Sequence, residues 1–581
     1  MSLVLGIANT SHDSSAALFR DGRLVAAISE ERLSRIKCDG GAIPERAIDG
    51  VLKEAGATRR DVTAIGLIYA DFPEEYFIRP NALKELERKL SRLRRRLVGG
   101  GENRMVWANH VLKEAMAAGV PMEQCFRREL FLEREGFDKG ARIAFFDHHD
   151  IHAHLAAFYS GFGDCAVITM DGEGDLEECH TSSVFRGGRH QRCHVTTGVA
   201  NSAGHFYMAI TQLLGFRPLR HEGKVLGLAA FGDPRPLYEA FSKALRLSPE
   251  GTRLVSDFRG DDERFDYLKR AIQGFSREQV AAAAQQVLED TVVPLARNLV
   301  RETGLARVAL NGGVFANVKL NQRIAALPEV EKIFVFPGMS DTGNSVGAAL
   351  MMQDALEPGF LARGQHRLRD VYWGPEATDD EIEEELKLQN LPYEKLSEEQ
   401  IIERAAQAIA KGDVVGWFQG RMEFGPRALG NRSMVGRPTD ADINKTLNDR
   451  LERTEFMPFA PSALVEYADE LFVGVDKAAH PAEFMTVTFD VKPEWHARIP
   501  AVVHVDGTAR PQLVRQDTNP RYWKLIERYR QLSGIPVVLN TSFNVHEEPI
   551  VCGPEEGIRA LAEDRIDRLA IGNYWVQGTR P

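Results

Sequence analysis

The chain opens with short apolar runs separated by polar residues. Residues 4–8, 15–19 and 24–28 are apolar, a polar segment fills residues 9–14, and Asp21-Gly22 stands between the last two runs. Short apolar runs bounded by polar and glycine-bearing segments are typical of β-strands, and Asp-Gly favours a tight hairpin turn. The pattern therefore predicts a strand, a polar loop, a second strand, a turn and a third strand.

A segment of the same type returns later in the chain. Residues 166–170 are apolar, residues 171–174 read Asp-Gly-Glu-Gly, and another strand-like run covers residues 182–186. Two strand-loop-strand units, each with a polar turn that can face a phosphate, indicate an internal duplication. The arrangement resembles the duplicated α/β fold shared by actin, sugar kinases and heat-shock chaperone ATPases.

Two further strands are expected to end in glycine-bearing turns. Residues 308–310 run into Asn311-Gly312-Gly313, with Asn317 shortly after, and residues 334–336 run into a turn that contains Asp341. Glycines at a strand end let backbone amides approach a phosphate, so Gly312, Gly313 and Asn317 are candidate nucleotide-binding residues. On the glycines alone, turns needed only for packing are the favoured interpretation.

A histidine pair lies between the two repeated units. On a helix, His148 and His152 are one turn apart and present their imidazoles on one face, whereas His149 and His154 lie off that face. A carboxylate at a strand end, such as Asp171, can complete a compact metal site. An isolated pair at this spacing is more often structural, but the whole set points to an enzyme.

Composition limits the class of protein. A chain of 581 residues suggests at least two domains, and 44% hydrophobic with 27% charged residues is ordinary for a soluble globular protein. No apolar run approaches the roughly 18 residues that span a bilayer. The first residues carry no basic leader, and the six cysteines contain no C-x-x-C pair, so we expect a cytoplasmic protein. A net charge of -11 disfavours nucleic-acid and anionic-membrane partners and favours metabolites.

A boundary is expected at residues 357–370, with one domain over 1–356 and a second over 371–581. The second domain carries arginines among glycines and hydroxyl residues, which suit an anion. As a constellation, Arg427, Arg510, Asn540, Thr541 and Ser542 indicate a phosphate site, although single arginines more often form solvated salt bridges. A basic amphipathic helix is predicted over residues 83–97 and is given no catalytic role.

At this point the sequence resembles the antibiotic and nodulation-factor O-carbamoyltransferases over nearly its whole length. The longest matching motif is Glu-Phe-Gly-Pro-Arg-Ala-Leu-Gly-Asn-Arg-Ser at residues 423–433. The other matching segments are residues 11–18, 30–32, 222–229 and 311–314, together with His148, His152 and Asp171.

The resemblance implies a two-step reaction in one chain. The C-terminal domain, similar to the YrdC family, would join carbamoyl phosphate and ATP (with Mg(II)) into carbamoyl adenylate. The actin-like N-terminal domain, similar to the tRNA threonylcarbamoyl-transfer proteins, would move the carbamoyl group to a hydroxyl of a small-molecule natural product. By the same resemblance, His148, His152, Asp171 and Asp341 would bind Fe(II) or a similar ion, with Mn(II) and Zn(II) left open by spacing. His12, near its neutral pKa, would act as general base.

One departure and several alternatives remain. Met457 stands where many relatives have arginine, so Arg453 or Lys445 would have to replace that contact to carbamoyl phosphate. A tRNA-modifying enzyme using threonylcarbamoyl adenylate is one alternative, which the acidic balance disfavours. A non-catalytic nucleotide-binding protein is another. The acceptor cannot be read from the sequence, and a homodimer is the default expectation for the oligomeric state.

Overall fold

The computed structural model describes residues 2–80, 105–363, 366–452 and 458–578. The predicted helix over residues 83–97, and the departure at Met457 with Arg453 beside it, lie outside these ranges. Within them the chain is a mixed α/β protein, as expected. None of the helices in the described ranges combines the length and the apolar content needed to cross a bilayer.

The first sheet contains the predicted opening strands. Its first strand lies in the centre, the second and third pair antiparallel on one side, and the fourth and fifth pair parallel on the other. The five strands in chain order are Leu3–Ala8, Ser15–Arg20, Arg23–Ser29, Ala64–Ile68 and Arg142–Phe146.

The second sheet repeats this topology strand for strand. Its first strand is again central, with two antiparallel strands on one side and two parallel strands on the other. The five strands are Cys165–Met170, Glu178–Arg186, Arg189–Thr197, Arg307–Asn311 and Lys332–Val335. The identical order and direction confirm the predicted duplication and the actin-like fold class. We call the two sheets the first and second copies.

Each copy lends a helix to the other. The helix His148–Ser160 follows the last strand of the first copy but packs on the second sheet. The helix Asn344–Leu356 follows the last strand of the second copy but packs on the first sheet. A Cβ at Gly6 would lie 1.9 Å from the carbonyl oxygen of Ser345, so glycine is required for this close approach. The exchange of helices joins the two copies into one body.

The C-terminal part forms an eight-stranded mixed sheet. In spatial order its strands are Tyr393–Lys395, Tyr574–Gln577, Arg568–Ile571, Val415–Phe418, Arg432–Gly436, Val537–Ser542, Ala460–Leu464 and Gln512–Val514. The helices Glu398–Lys411 and Pro520–Ser533 pack together beside it. This is the second α/β unit that the sequence predicted.

The remaining elements complete the description. Three two-stranded pairs join Asp71–Pro73 to Met105–Trp107, Arg246–Leu247 to Leu254–Val255, and Phe489–Asp490 to Thr508–Ala509. The other helices of the first part are Glu30–Ser34, Glu45–Glu54, Ala108–Ala118, Met122–Cys125, Arg128–Arg134, Ala203–Leu213, Glu222–Ala229, Arg235–Ala244, Asp261–Ala271, Arg277–Thr303, Val318–Ala325 and Phe360–Arg363. Those of the later part are Asp379–Leu388, Ile443–Arg450, Ala468–Leu471, Ala479–Ala482, Pro493–His496 and Pro554–Ala562.

The two parts of the chain are tied by arginines that donate to backbone carbonyls. Arg421 donates to the carbonyl of Val25 in the first sheet at 2.9 Å, and Arg32 donates to the carbonyl of Gly425 at 2.9 Å. In the predicted linker, the amide of Leu368 donates to the carbonyl of Tyr159. These contacts hold the loop that contains residues 423–433 against the first copy.

Candidate active site

Two histidines and two aspartates converge where the copies meet. His148 and His152 lie on one face of the helix His148–Ser160, as predicted. Asp171 follows the central strand of the second copy, and Asp341 begins the turn after that copy's last strand. The four potential ligand atoms all lie within 4.8 Å of one another. The structure therefore brings together all four residues predicted to bind a metal.

The geometry suits a small cation. Nε2 of His152 lies 3.4 Å from Oδ2 of Asp171 and 3.7 Å from Oδ1 of Asp341, and Nε2 of His148 lies 3.5 Å from Asp341. The Nε2 atoms of both histidines are buried and have no hydrogen-bond partner in the protein. Buried polar atoms without partners are costly, and a metal ion would satisfy both. Two imidazoles and two carboxylates fit Fe(II), Mn(II) or Zn(II).

The local charges also favour a cation. Burial alone would lower the pKa of His148, but the carboxylates of Asp341 and Asp171 raise it to about 10. Burial alone would raise the pKa of Asp171, but His148 and His152 hold it well below its usual range. The pair of carboxylates thus stabilises positive charge at this point.

The neighbouring histidine is excluded from the cluster, as expected. Nδ1 of His149 lies 2.7 Å from the hydroxyl of Thr169, and its Nε2 lies 3.1 Å from the carbonyl of Glu178. Burial holds its pKa well below the usual value, so the ring is neutral. His149 is a satisfied core residue.

His12 lies beside the four-residue cluster. Its Nδ1 is 3.4 Å from Oδ2 of Asp13, and its Nε2 is 4.0 Å from Oδ2 of Asp341. Burial would lower its pKa, but the carboxylates of Asp13 and Asp341 raise it to about 9. The expectation of a near-neutral pKa is therefore wrong for the protein's own charges, because three aspartates surround the imidazole. A divalent cation between Asp171 and Asp341 would offset that effect.

The loop that carries the longest motif is built around a carboxylate. Oε1 of the buried Glu423 accepts hydrogen bonds from the amides of Leu429, Asn431 and Arg432 at 2.7, 2.9 and 3.0 Å. Three backbone donors on one oxygen fix the path of the chain through residues 423–432. The position of Arg427 in the middle of this loop is set by that scaffold.

Not every arginine of the motif is available to an anion. Arg432 is fully buried, donates to the carbonyls of Gln419 and Gly420, and lies 3.6 Å over the ring of Phe418. It therefore supports the loop from inside. Arg427 and Arg510 line a cavity and are the arginines placed to meet a ligand there.

The neutral residues divide in the same way. Asn540, Thr541 and Ser542 line the cavity at the end of the strand Val537–Ser542. The amide nitrogen of Asn540 is used within the protein, so this residue is not the free donor that the sequence suggested. Asn317 lines the cavity, but its side chain caps a helix through the amide of Leu320 and bonds with Gln285.

The two predicted glycines also differ. Gly312 has a φ of 102° and a Cβ there would lie 2.3 Å from the carbonyl oxygen of Met170, which favours the packing interpretation for this residue. Gly312 is not among the cavity residues. Gly313 lines the cavity, and its amide donates to Oδ2 of Asp171 at 2.9 Å. Gly313 thus orients a carboxylate of the cluster.

One continuous cavity of about 920 Å³ joins the two groups of predicted residues. His12, His148, Asp171 and Asp341 lie on its wall from the duplicated part. The wall from the C-terminal sheet contributes Arg427, Arg510, Asn540, Thr541 and Ser542. His152 is fully buried behind this surface. A ligand that leaves one wall can reach the other without entering bulk solvent.

Comparison with known proteins gives the family. Residues 3–350 match the family described as Carbamoyltransferase N-terminus, and residues 406–578 match Carbamoyltransferase C-terminus. The chain belongs to the carbamoyltransferase family. Nodulation protein NolNO of Sinorhizobium fredii is 34% identical, covering 99% of this chain and 80% of that protein. The 3'-hydroxymethylcephem-O-carbamoyltransferase of Amycolatopsis lactamdurans is 27% identical, covering 75% and 82%.

Likeness to solved structures is weaker. Full-length HypF in its phosphate- and nucleotide-bound form is 12% identical, with a TM-score of 0.35, covering 62% of this chain and 47% of that one. The fold assignment for this carbamoyltransferase therefore depends on its sheet order, described above.

Several cavity residues of this carbamoyltransferase were missed by sequence reasoning. Asp13 has a left-handed backbone with a φ of 60°, which L-residues rarely adopt, and its carboxylate lies against His12. Its adjacency to His12 was the available signal. Trp107 and His205 also line the cavity, but they belong to no motif.

Proposed function

We propose that this carbamoyltransferase makes carbamoyl adenylate from carbamoyl phosphate and ATP and then transfers the carbamoyl group to a hydroxyl of a small molecule. The observation that carries the proposal is the single cavity with two chemically different walls. One wall offers arginines and hydroxyls for phosphates, and the other offers a histidine and a carboxylate-rich cation site. A relative named as an O-carbamoyltransferase of a hydroxymethyl compound supports a hydroxyl acceptor.

The first step needs an anion site. For the atoms to balance, water releases phosphate from carbamoyl phosphate, and an oxygen of the resulting carbamate attacks the α-phosphorus of ATP, which expels pyrophosphate. Arg427 and Arg510 would hold the phosphates, because guanidinium stays charged and pairs with two phosphate oxygens at once. Thr541 and Ser542 would contact phosphoryl oxygens beside them. We place Mg(II) with the ATP phosphates, without assigning it protein ligands.

The second step needs a base beside the acceptor. His12 would take the proton of the acceptor hydroxyl as its oxygen attacks the carbamoyl carbon, and AMP would leave. Asp13 would hold the imidazole from its Nδ1 side, so that Nε2 faces the cavity. A divalent ion held by His148, His152, Asp171 and Asp341 would supply positive charge next to the phosphate of the leaving group.

The test measures the two steps separately. Purified protein receives ATP and carbamoyl phosphate, and pyrophosphate release is followed for the wild type, His12→Asn and Arg427→Ala. We expect release by the wild type and by His12→Asn, and a loss with Arg427→Ala. Radiolabel from carbamoyl phosphate is then offered to a panel of hydroxylated probes that includes a hydroxymethylcephem, with tRNA as the matched alternative acceptor.

The outcomes separate the candidate functions. Absence of carbamoyl-phosphate-dependent pyrophosphate from every form would contradict the adenylate mechanism. Label on tRNA but on no small molecule would support the tRNA-modifying alternative. Pyrophosphate without label on any acceptor, and with unchanged rates in His12→Asn, leaves the adenylating step standing and moves the search to other hydroxyl compounds.

A further inference from the structure

We propose that Asn540 recognises the amino group of carbamoyl phosphate and so selects the carbamoyl donor over acyl phosphates of the same shape. The inference rests on the proposed function and adds the residue that would determine donor specificity. It comes from one atom, the side-chain carbonyl oxygen of Asn540, and from the bonds that surround it.

The orientation of the Asn540 amide is fixed by its neighbours. Its Nδ2 donates to the carbonyl of Ala428 at 3.1 Å and to Oε1 of Gln512 at 3.2 Å, and it lies 2.9 Å from the hydroxyl of Ser462. Nε2 of Gln512 donates to the carbonyl of Leu429 at 2.8 Å, which turns the Gln512 oxygen toward Asn540. Because two carbonyl oxygens face Nδ2, exchanging its nitrogen and oxygen would place oxygen against oxygen.

This leaves the Asn540 oxygen without a partner. Asn540 is 1% exposed, and its Oδ1 has no hydrogen-bond partner in the protein. A buried carbonyl oxygen in this state is costly, since it has lost water and gained nothing in return. Asn540 nevertheless lies on the cavity wall. The geometry is that of an acceptor prepared for a donor that arrives with the ligand.

The chemistry of the substrates limits what that donor can be. Phosphate and carboxyl oxygens only accept at neutral pH, whereas the carbamoyl group ends in a planar NH₂ with two donors. The amide bonds that orient Asn540 reach the carbonyl of Ala428, the residue after Arg427, and Gln512, two residues after Arg510. A phosphate held by those arginines places its own carbamoyl group nearest this oxygen. The adenine amino group of ATP is the competing source of the same chemistry.

Acetyl phosphate provides the sharpest probe, because it replaces the carbamoyl NH₂ by a methyl group of similar size. We expect the wild type to prefer carbamoyl phosphate over acetyl phosphate by roughly 10- to 100-fold in kcat/KM for pyrophosphate release, because the methyl group leaves Oδ1 unpaired. Asn540→Leu keeps the volume and removes the oxygen, so the preference should fall to within a few-fold of unity.

Ser462→Ala is the matched control. It removes one contact of the same amide but leaves Oδ1 in place, and Ser462 is not a cavity residue. A loss of order in the network would lower both rates in either variant, whereas loss of recognition changes the ratio only in Asn540→Leu. If Asn540→Leu does not fold, competition in the wild type decides: acetyl phosphate should inhibit carbamoyl phosphate use at least about 10-fold more weakly than carbamoyl phosphate saturates it.

Each other result overturns the assignment. An unchanged carbamoyl-to-acetyl ratio in folded Asn540→Leu, or equal competition in the wild type, would show that Oδ1 does not recognise this amino group. A changed preference for ATP over inosine triphosphate, with the donor ratio unchanged, would assign the oxygen to the adenine amino group instead. Absence of carbamoyl-phosphate-dependent pyrophosphate from the wild type would count against the proposed function, and is thereby distinguished from failure of this inference.

Discussion

The two copies of the duplicated fold present different chemistry from equivalent places. The loop after the central strand carries His12 in the first copy and Asp171 in the second. The segment after the last strand carries His148 in the first copy and Asp341 in the second. All four side chains lie on the wall of one cavity. A repeated backbone thus fixes four positions, and the residues placed there decide the chemistry.

The comparison shows how the site became asymmetric. With Asp171 and Asp341 the second copy contributes the negative charge, and with His12 and His148 the first copy contributes the imidazoles. Opposite groups from opposite copies meet at the cleft, which neither copy could form alone. Breaking one side at a time therefore separates proton transfer from cation binding.

The largest effect is expected from His12→Asn in the first copy. Removing the general base should slow label transfer to an accepted hydroxyl probe by roughly 10²- to 10⁴-fold. The content of bound divalent metal, measured by elemental analysis, should stay at the wild-type level, because His12 is not one of the four clustered residues. Loss of metal together with activity would place His12 among the ligands and contradict its role as base.

Asp171→Asn alters the equivalent loop of the second copy. An amide is a weaker ligand than a carboxylate and Asp171 lies 3.4 Å from His152, so affinity for Mn²⁺ should fall by about 100-fold or more, measured by calorimetry. Pyrophosphate release on the other wall should change little. Asp150→Asn on the same helix as His148 is the control, since Asp150 pairs with Arg192 and is not one of the clustered residues. Equal metal affinity in both variants would disprove the site.

Gly312→Ala tests the backbone of the second copy rather than its charges. With a φ of 102° and the Met170 carbonyl 2.3 Å from the added Cβ, we expect a loss of roughly 1–3 kcal/mol in the free energy of unfolding. Gly223→Ala provides the contrast: it lies in the helix Glu222–Ala229, and its added Cβ would meet nothing within 4 Å. Denaturant unfolding that gave both variants the same stability would contradict the close approach at Gly312.

The smallest effect concerns how each copy is tied to the C-terminal part. The second copy uses a carboxylate: Oε2 of Glu547 accepts from Arg217 at 2.8 Å, and Oε1 lies 2.9 Å from Nε2 of His221. The first copy uses Arg32 on the carbonyl of Gly425, which does not titrate.

Burial would raise the pKa of Glu547, but His221 and its basic neighbours lower it to about 2. A depressed pKa contributes stability that is present above the ordinary value near 4.5 and lost as pH falls toward 2. Glu547→Gln should remove a small part of the acid dependence of Tm in that window. It should leave Tm above pH 6 lowered by a constant amount. An identical acid slope in both proteins would exclude the contact.

Much of this fold could be predicted from local pattern. The opening strands were expected at residues 4–8, 15–19 and 24–28, and they occur at Leu3–Ala8, Ser15–Arg20 and Arg23–Ser29. Alternation of apolar runs and turns is a property of neighbouring residues, so it is visible in the sequence. The histidine pair on one helical face was predictable for the same reason.

The rest depends on residues far apart in the chain. The pKa of His12 follows from Asp341, more than three hundred positions away, and the sequence gave no sign of that proximity. The fully buried Arg432 and the engaged amide of Asn540 could not be told from exposed polar residues. The boundary at residues 357–370 stays a prediction, as do the roles of the cavity residues.

The exchanged helices make the cation site a lock on the cleft. Asp341 immediately precedes the helix that packs on the first sheet, whereas Asp171 belongs to the second sheet. His148 and His152 start from the first copy but ride on the second. Any rotation of one sheet against the other must therefore pull these side chains apart. Opening of the cleft and release of a bound ion would be a single event, so ion occupancy would report directly on whether the enzyme is closed.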